Sequence, residues 1–253
     1  MENMGFSIII PAYNEDKTIG KVLKEASKTT AKEIIVVNDG STDNTFKIVN
    51  SFCKRDKRIK HILIKINKGP GFARKVGVLE STQPLLVFFD ADIKNVKKEM
   101  FEKLIDPIIK NEADLVIADF DNFGRITEFF ARPLLRYFFP KLAKLKQPLS
   151  GIFAIRRKFI FPEIMGDDHR IMDDILLPAY FKRARITEVY IGEIKHKKRN
   201  DDEKTKQAFS ECQAFFDFFI KKRFIKTPKK LFKILENIKG DKIENKILKE
   251  III

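Results

Sequence analysis

Cysteine is nearly absent from this 253-residue chain, which holds only Cys53 and Cys212. Two thiols cannot build a disulfide framework, and such sparse usage points to a reducing, cytoplasmic setting. Long apolar runs are missing too. The Phe-rich stretch from Phe129 to Tyr137 is broken by Arg132 and Arg136, well short of the roughly 18–20 apolar residues that span a bilayer. Met1 to Gly5 holds no basic residue, and the apolar Phe6–Ile10 is too short for a signal-peptide core, so the mature chain is expected to begin near Met1. There is no internal repeat and no low-complexity tract. A Gly-Lys-Ser/Thr phosphate loop and a GxGxxG turn are also lacking, which removes the main support for kinase and dehydrogenase readings.

What is present is apolar and basic. Apolar residues make up 44% of the chain and 24 are Phe, enough for one sizeable core, or a main domain with a small appendage, and contrary to disorder. The chain carries 50 Lys+Arg against 35 Asp+Glu, a net +15. That excess divides evenly, with +6 over residues 1–100, +5 over 101–200 and +4 over 201–253. An even spread disfavours a single nucleic-acid-binding tail, although Lys221–Lys233 holds seven basic residues and no acid. Most of the charge reads as solvated surface.

Short β-branched runs alternate with longer amphipathic segments through the first hundred residues, the pattern of strand–helix–strand crossovers in a parallel sheet. Strands are predicted at Ser7–Ile10, Glu33–Val37, His61–Lys65, Leu85–Phe89 and Asp114–Ala118, and helices at Thr18–Lys28, Thr45–Phe52 and Gly71–Glu80. Farther on, residues 120–160 mix aromatics with Arg and Lys, and Glu128–Tyr137 there could be simply an amphipathic helix with core aromatics, while Asp173–Lys182 and Thr205–Lys222 read as helices and Thr187–Ile194 as a returning strand. Asp201–Thr205 reads as a hinge into a helical appendage punctuated by Pro228 and Gly240. The fold class is α/β and doubly wound, with a mostly parallel central sheet whose ligands belong at the strands' carboxyl ends.

Three of those ends carry polar clusters: Pro11-Ala12-Tyr13-Asn14-Glu15, Asn38-Asp39-Gly40-Ser41-Thr42-Asp43 and Asp90-Ala91-Asp92. Each alone could be turn and cap chemistry. Taken in this order, "IIIPAYNE", "VVNDGSTDNT" and "FFDAD" resemble the family 2-like, GT-A-fold nucleotide-sugar glycosyltransferases over residues 6–120. The resemblance implies a Rossmann-like GT-A domain over 1–200, divided into a nucleotide-sugar half (1–120) and an acceptor half (121–200), with a helical extension over 201–253. It makes "FFDAD" the family's Asp-X-Asp element. Two carboxylates at that spacing after a strand suit Mg²⁺ or Mn²⁺, hard cations that bridge to diphosphate oxygens. The resemblance further implies that Pro11, Tyr13 and Glu15 line the uridine and ribose pocket and that Asp39 reads the uracil edge. Asp90 then contacts the ribose or the metal, Ala91 meets the donor, and Asp92 is the direct metal ligand.

Asn67-Lys68-Gly69-Pro70-Gly71 precedes a helix, with glycines that would let backbone approach a ligand closely and Lys68 placed as a point charge for the nucleotide. Gly124–Arg157 is similar to the acceptor region of glucosyl-3-phosphoglycerate synthases. There Gly124, Arg125 and Thr127 would hold a phosphate and a carboxylate, and Gln147 through Gly151 would close the site. An Arg fork, a Thr hydroxyl and an open Gly amide suit a small dianion.

The same resemblance makes Asp173 and Asp174 the catalytic acids near the acceptor hydroxyl, where the family usually has Glu. It makes His196, in "IGEIKHKKRN", the residue that completes the metal site with Asp92. Lys195, Lys197, Lys198 and Arg199 could serve phosphates, whereas His61 and His169 receive no role.

The expected activity is therefore metal-dependent transfer of a hexose from a nucleoside diphosphate sugar to a small anionic acceptor such as 3-phosphoglycerate, with retention. Two alternatives stay open: an inverting family 2 transferase acting on a polyprenyl phosphate or membrane glycan, and a non-catalytic nucleotide- or nucleic-acid-binding module. No nucleic-acid partner is expected. Peripheral membrane contact through 221–253 and a homodimer are both compatible with the sequence.

Overall fold

The computed structural model describes residues 4–121, 127, 131–168 and 170–196. Their order is β1 (Phe6–Ala12), α1 (Ile19–Ala26), β2 (Glu33–Asp39), α2 (Thr45–Arg55), β3 (Ile59–Ile64), α3 (Pro70–Glu80) and β4 (Leu85–Phe88). There follow α4 (Lys98–Ile109), β5 (Leu115–Asp119), α5 (Arg132–Phe138), β6 (Phe153–Arg156), α6 (Leu177–Phe181) and β7 (Ile186–Tyr190). The strands form one seven-stranded sheet in the order β3-β2-β1-β4-β6-β5-β7. Ile8–Ile10, Ile34–Val37 and Leu85–Phe88 are fully buried, because both faces of the sheet are covered by helices, as in parallel sheets generally.

Side-chain alternation divides that burial between two layers. Ile8, Ile10, Ile34, Val36 and Val116 face Val22, Leu23, Val49, Phe101 and Leu104 of α1, α2 and α4. On the other face Ile9, Phe88, Leu115, Ile117 and Phe153 meet Leu134 and Leu135 of α5 and Leu177 of α6. Ile35 and Val37 there pack on Ala73 of α3.

Every pairing is parallel except those of β6, which runs antiparallel to both β4 and β5, with Phe88↔Phe153 and Ile117↔Phe153 in register. The reversal positions the site. It places the start of β6, and therefore the 147–151 loop, on the same rim as the carboxyl ends of β1, β2, β4, β5 and β7. The chain leaves β1 for β2 and β3, then crosses back to β4 on the far side of β1. The gap between β1 and β4 is thus the switch point where open α/β sheets take ligands.

The five predicted strands of the first 120 residues and their three helices are present within a few residues of the expected bounds. Three differences follow from tertiary context. Residues 93–113, given no element from sequence, hold α4, whose Pro107 lies in its last turn, and β6 was likewise not anticipated. The helix expected over Asp173–Lys182 is a π-helical turn, Met172–Leu176, running into the short α6. The returning strand ends at Tyr190, and 191–196 continues as irregular chain. No helix among the described residues is long and apolar enough to cross a membrane. The extension over 201–253, its basic run, Gly124, Arg125, His169, Lys197, Lys198 and Arg199 lie outside the described residues.

Candidate active site

The first two strand-end motifs are knitted together. The Asn14 amide donates to Ser41 Oγ (3.0 Å), the Glu15 amide to Thr45 Oγ1 (2.8 Å), and the Asp16 amide to Asp43 Oδ2 (3.1 Å), while Asn14 Oδ1 accepts from the Thr42 amide (2.8 Å). Asn14 takes a positive φ of 54° to make these bonds, a conformation Asn tolerates better than most residues. Buried Asn38 fixes the second loop by accepting from the Ser41 amide (3.0 Å). Its amide nitrogen lies 3.4 Å from Nε2 of His61, whose Nδ1 is 2.8 Å from Asn50 Oδ1. Burial pushes the His61 pKa down. Pro11 is the penultimate residue of β1, and Tyr13, just past the strand's end, is 46% exposed, open to a ligand at the β1 rim.

Asp92 and His196 meet. His196 Nδ1 is 3.3 Å from Asp92 Oδ1 across 104 residues of sequence, with Asp92 buried and the imidazole edge-on to Phe120. Backbone bonds explain the meeting, since the Lys94 amide donates to the Lys195 carbonyl (2.8 Å) and Asn95 bonds Glu193 and Lys195. Among the described residues no group of three or more His, Cys, Asp and Glu side chains forms a metal cluster. A carboxylate and an imidazole nevertheless fit a hard divalent cation that draws its remaining ligands from water and substrate phosphate.

Asp90 points elsewhere. Its Oδ1 lies 3.7 Å from Arg74 Nη2, an arginine on α3 whose side chain is 3% exposed. Gly151 closes over the pair: a Cβ at that position would sit 2.8 Å from Arg74 Nη2 and 3.1 Å from Asp90 Oδ1. The donor motif and the 147–151 loop therefore touch, and only a glycine fits without displacing them. Arg74 was missed by sequence reasoning. Its signal was an arginine on the buried stripe of α3 with Gly71, Gly77 and Val78, since charged groups are rarely buried without a partner.

The Gly-rich turn differs from expectation in what approaches its glycines. Asp39 accepts from the Lys68 amide (2.9 Å) and the Gly69 amide (2.8 Å), one through each carboxylate oxygen, and retains lone pairs for a ligand. Gly69 has φ 102°, and a Cβ there would lie 2.4 Å from the Asp167 carbonyl oxygen. A Cβ at Gly71 would lie 2.3 Å from the carbonyl oxygen of Asp168 and 2.4 Å from that of Gly166. The close backbone approach is thus made by the 166–168 segment. Its Asp167 carbonyl accepts from the Gly71 (2.8 Å) and Phe72 (3.1 Å) amides, satisfying first-turn donors of α3 that Gly69 has no side chain to cap. Lys68 Nζ lies over the Phe72 ring at 4.7 Å.

On the acceptor side Thr127 is buried, as is Gln147, whose Nε2 donates to the Phe120 carbonyl (3.2 Å). Asp119, at the end of β5, pairs with Lys146 at 2.7 Å. Asp173 and Asp174 are both buried, inside the π-helical turn, a geometry often found at functional sites. Asp174 Oδ2 accepts from the Gly166 amide (2.9 Å), and Oδ1 lies 3.8 Å from Arg170 Nε. Burial outweighs these partners and raises the Asp174 pKa to about 6.

A doubly wound sheet bearing these three motifs and an Asp92/His196 pair on one rim defines a GT-A-fold transferase. Residues 7–166 match the model of glycosyl transferase family 2, and the chain belongs to that family and is a glycosyltransferase. It is similar to glucosyl-3-phosphoglycerate synthase of Mycobacterium tuberculosis, 26% identical over 222 residues, covering 78% of this chain and 68% of that one. The protein of the same name from Petrotoga mobilis is 29% identical over 182 residues, covering 63% and 55%. The crystal structure of the M. tuberculosis protein with Mn²⁺, UDP-glucose and phosphoglyceric acid aligns with a TM-score of 0.75 at 25% identity, over 85% of this chain and 80% of that one.

Proposed function

We propose that this glycosyltransferase moves glucose from UDP-glucose to 3-phosphoglycerate, or to a small phosphorylated acid like it, with Mn²⁺ or Mg²⁺ as cofactor and with retention. The observation that carries the reading is the Asp92/His196 pair at 3.3 Å, set beside the Asp90–Gly151 contact on the rim of the β1/β4 switch point. The relatives' names and the ligands in the M. tuberculosis crystal structure support the same donor and acceptor.

In this reading Asp92 and His196 would hold the metal, which would supply positive charge to offset that developing on the diphosphate leaving group. Pro11, Tyr13, Glu15, Asp39 and Ala91 form the nucleoside pocket, with Lys68 serving the phosphates. Asp90, oriented by Arg74, faces the donor, and Gly151 leaves room for the sugar between the two halves. Gly124, Arg125 and Thr127 take the acceptor's anionic groups, and Asp173 orients its hydroxyl. Positioning and fixed charge supply most of the rate, with no side chain acting as a covalent nucleophile.

Purified protein given UDP-glucose, Mn²⁺ and 3-phosphoglycerate is expected to release UDP and form an α-glucoside visible by its anomeric NMR coupling. Well-folded protein that releases no UDP with any small phosphorylated acid would overturn the acceptor assignment.

A further inference from the structure

Asp174 is separated from the Gly-rich turn by about a hundred residues of sequence, yet a continuous chain of hydrogen bonds joins them. Its carboxylate accepts from the Gly166 amide at 2.9 Å. The next residue, Asp167, gives its carbonyl to the Gly71 and Phe72 amides at 2.8 and 3.1 Å. Those amides open α3, directly after the turn whose Lys68 and Gly69 amides are held by Asp39 at 2.9 and 2.8 Å. The turn is therefore gripped from two sides, by Asp39 beneath and by the 166–168 segment above. The fit on the upper side is close enough that a methyl group on Gly69 or Gly71 would overlap the segment's carbonyls.

We propose that Asp174 is a positioning residue for donor binding: it clamps the 166–168 segment onto the Gly-rich turn and so fixes Lys68 and the start of α3 for the nucleotide diphosphate. This rests on the assignment of the turn to the donor site made above. It distinguishes Asp174 from Asp173, although the two acids are adjacent in sequence and equally buried. Asp174 already has an amide to hold. Around it stand Arg170, 3.8 Å away on the preceding segment, and Arg74 and Lys75 of α3, all of which favour its charged form. These cations offset part of the burial that disfavours the charge, and the anchor itself is the carboxyl oxygen that accepts the Gly166 amide. Gly69 has no side chain to cap α3 and Pro70 has no amide hydrogen, so the Asp167 carbonyl, which takes the Gly71 and Phe72 amides, stands in for the cap of that helix.

The test uses the full chain as wild type, Asp174→Ala and Asp174→Asn, with Gly166→Pro removing the same hydrogen bond from the segment's side. Met165 already has the extended conformation that a following proline requires (φ −69°, ψ 127°); the Cβ that proline adds would lie 2.6 Å from Arg170 Cδ, so Arg170→Ala, which keeps the Gly166 amide, is the control for displacement of that side chain. Without ligand, amide hydrogen exchange is expected to rise about tenfold at 69–73 and 166–168 in D174A and G166P while the strands are unchanged, the scale of losing one charge-assisted bond. Calorimetry with UDP and Mn²⁺ is expected to show a Kd about tenfold weaker in D174A, with donor KM raised similarly and kcat changed far less. D174N keeps a carbonyl oxygen for Gly166 and should recover most of the affinity.

Unchanged exchange and unchanged UDP affinity in both D174A and G166P would overturn the proposal. So would loss of kcat in D174A and D174N alike with donor affinity intact, because Asp174 would then act in the chemistry. If the wild type binds no nucleotide, the function proposed above fails, and the exchange measurement still decides whether the clamp exists.

Discussion

Asp92 and His196 are expected to act as one unit. Asp92→Ala or His196→Ala should each weaken Mn²⁺-dependent UDP binding by about 10- to 100-fold, the range seen when a metal's supporting groups are lost, while leaving metal-independent binding unchanged; paired titrations with and without Mn²⁺ check this. Gly151→Ala should leave the fold intact but displace Arg74 or Asp90, lowering kcat/KM for UDP-glucose more than it lowers thermal stability. Away from the site, Glu33 gathers Lys60, Ser7 and Thr82 around one buried carboxylate. Burial alone would raise its pKa, but those bonds overcome it and bring it to about 2. A depressed carboxylate stabilises the fold fully above its ordinary pKa of 4.5 and loses that contribution as pH falls toward 2. Glu33→Gln should therefore be clearly less stable than wild type at pH 7, with the gap closing in urea unfolding between pH 4 and pH 2. At this scale the sequence disclosed the polar residues of the rim motifs but not their partners. Arg74 facing Asp90, and Asp174 facing Gly166, are contacts made across the fold, which no local spacing records.

At the scale of elements, β6 shows what local pattern cannot reveal. Four residues, Phe153–Arg156, give no readable periodicity, yet the strand lies inside the sheet between β4 and β5 and stacks Phe153 on Phe88 at 4.4 Å. Its direction was set by the chain having to return between β4 and β5, and that direction carries Gly151 to the site. Phe153→Ala is expected to cost about 3–5 kcal/mol and, by loosening the start of β6, to raise the donor KM; chemical denaturation and initial rates measure the two effects. The π-helical turn holding Asp174 has the opposite stability signature to Glu33. With its pKa raised from 3.8 to about 6, the folded state keeps a proton that the unfolded chain gives up, so stability declines as pH rises between about 4 and 6 by on the order of 3 kcal/mol. Asp174→Asn should flatten that part of the pH profile. The helix read over Asp173–Lys182 is correct in position but not in type: its first turn is π-helical, and the bond that Asp174 makes to Gly166 across the fold leaves no trace in local spacing.

Across the whole molecule, the seven strands of the described residues form one sheet between Phe6 and Tyr190, and the sequence reading puts the end of the domain near residue 200. A chain truncated there is expected to unfold cooperatively within a few degrees of full length by calorimetry, and a large drop in Tm would place the 201–253 extension within the same folding unit. The doubly wound α/β class, the five strands of the first 120 residues and the family were all determined by sequence alone. Alternating β-branched runs and amphipathic segments are local properties, and motifs at strand ends keep their spacing whatever surrounds them. Tertiary structure alone decided which ends share a rim. The antiparallel insertion of β6 brings Gly151 to Asp90, and the hydrogen bonds of the Lys94 amide and the Asn95 side chain to the backbone of Glu193 and Lys195 bring His196 to Asp92. The glycines of the turn before α3 close on the 166–168 backbone for the same reason: such contacts depend on how distant segments stack, which is settled by the packing of the whole sheet and its two layers of helices.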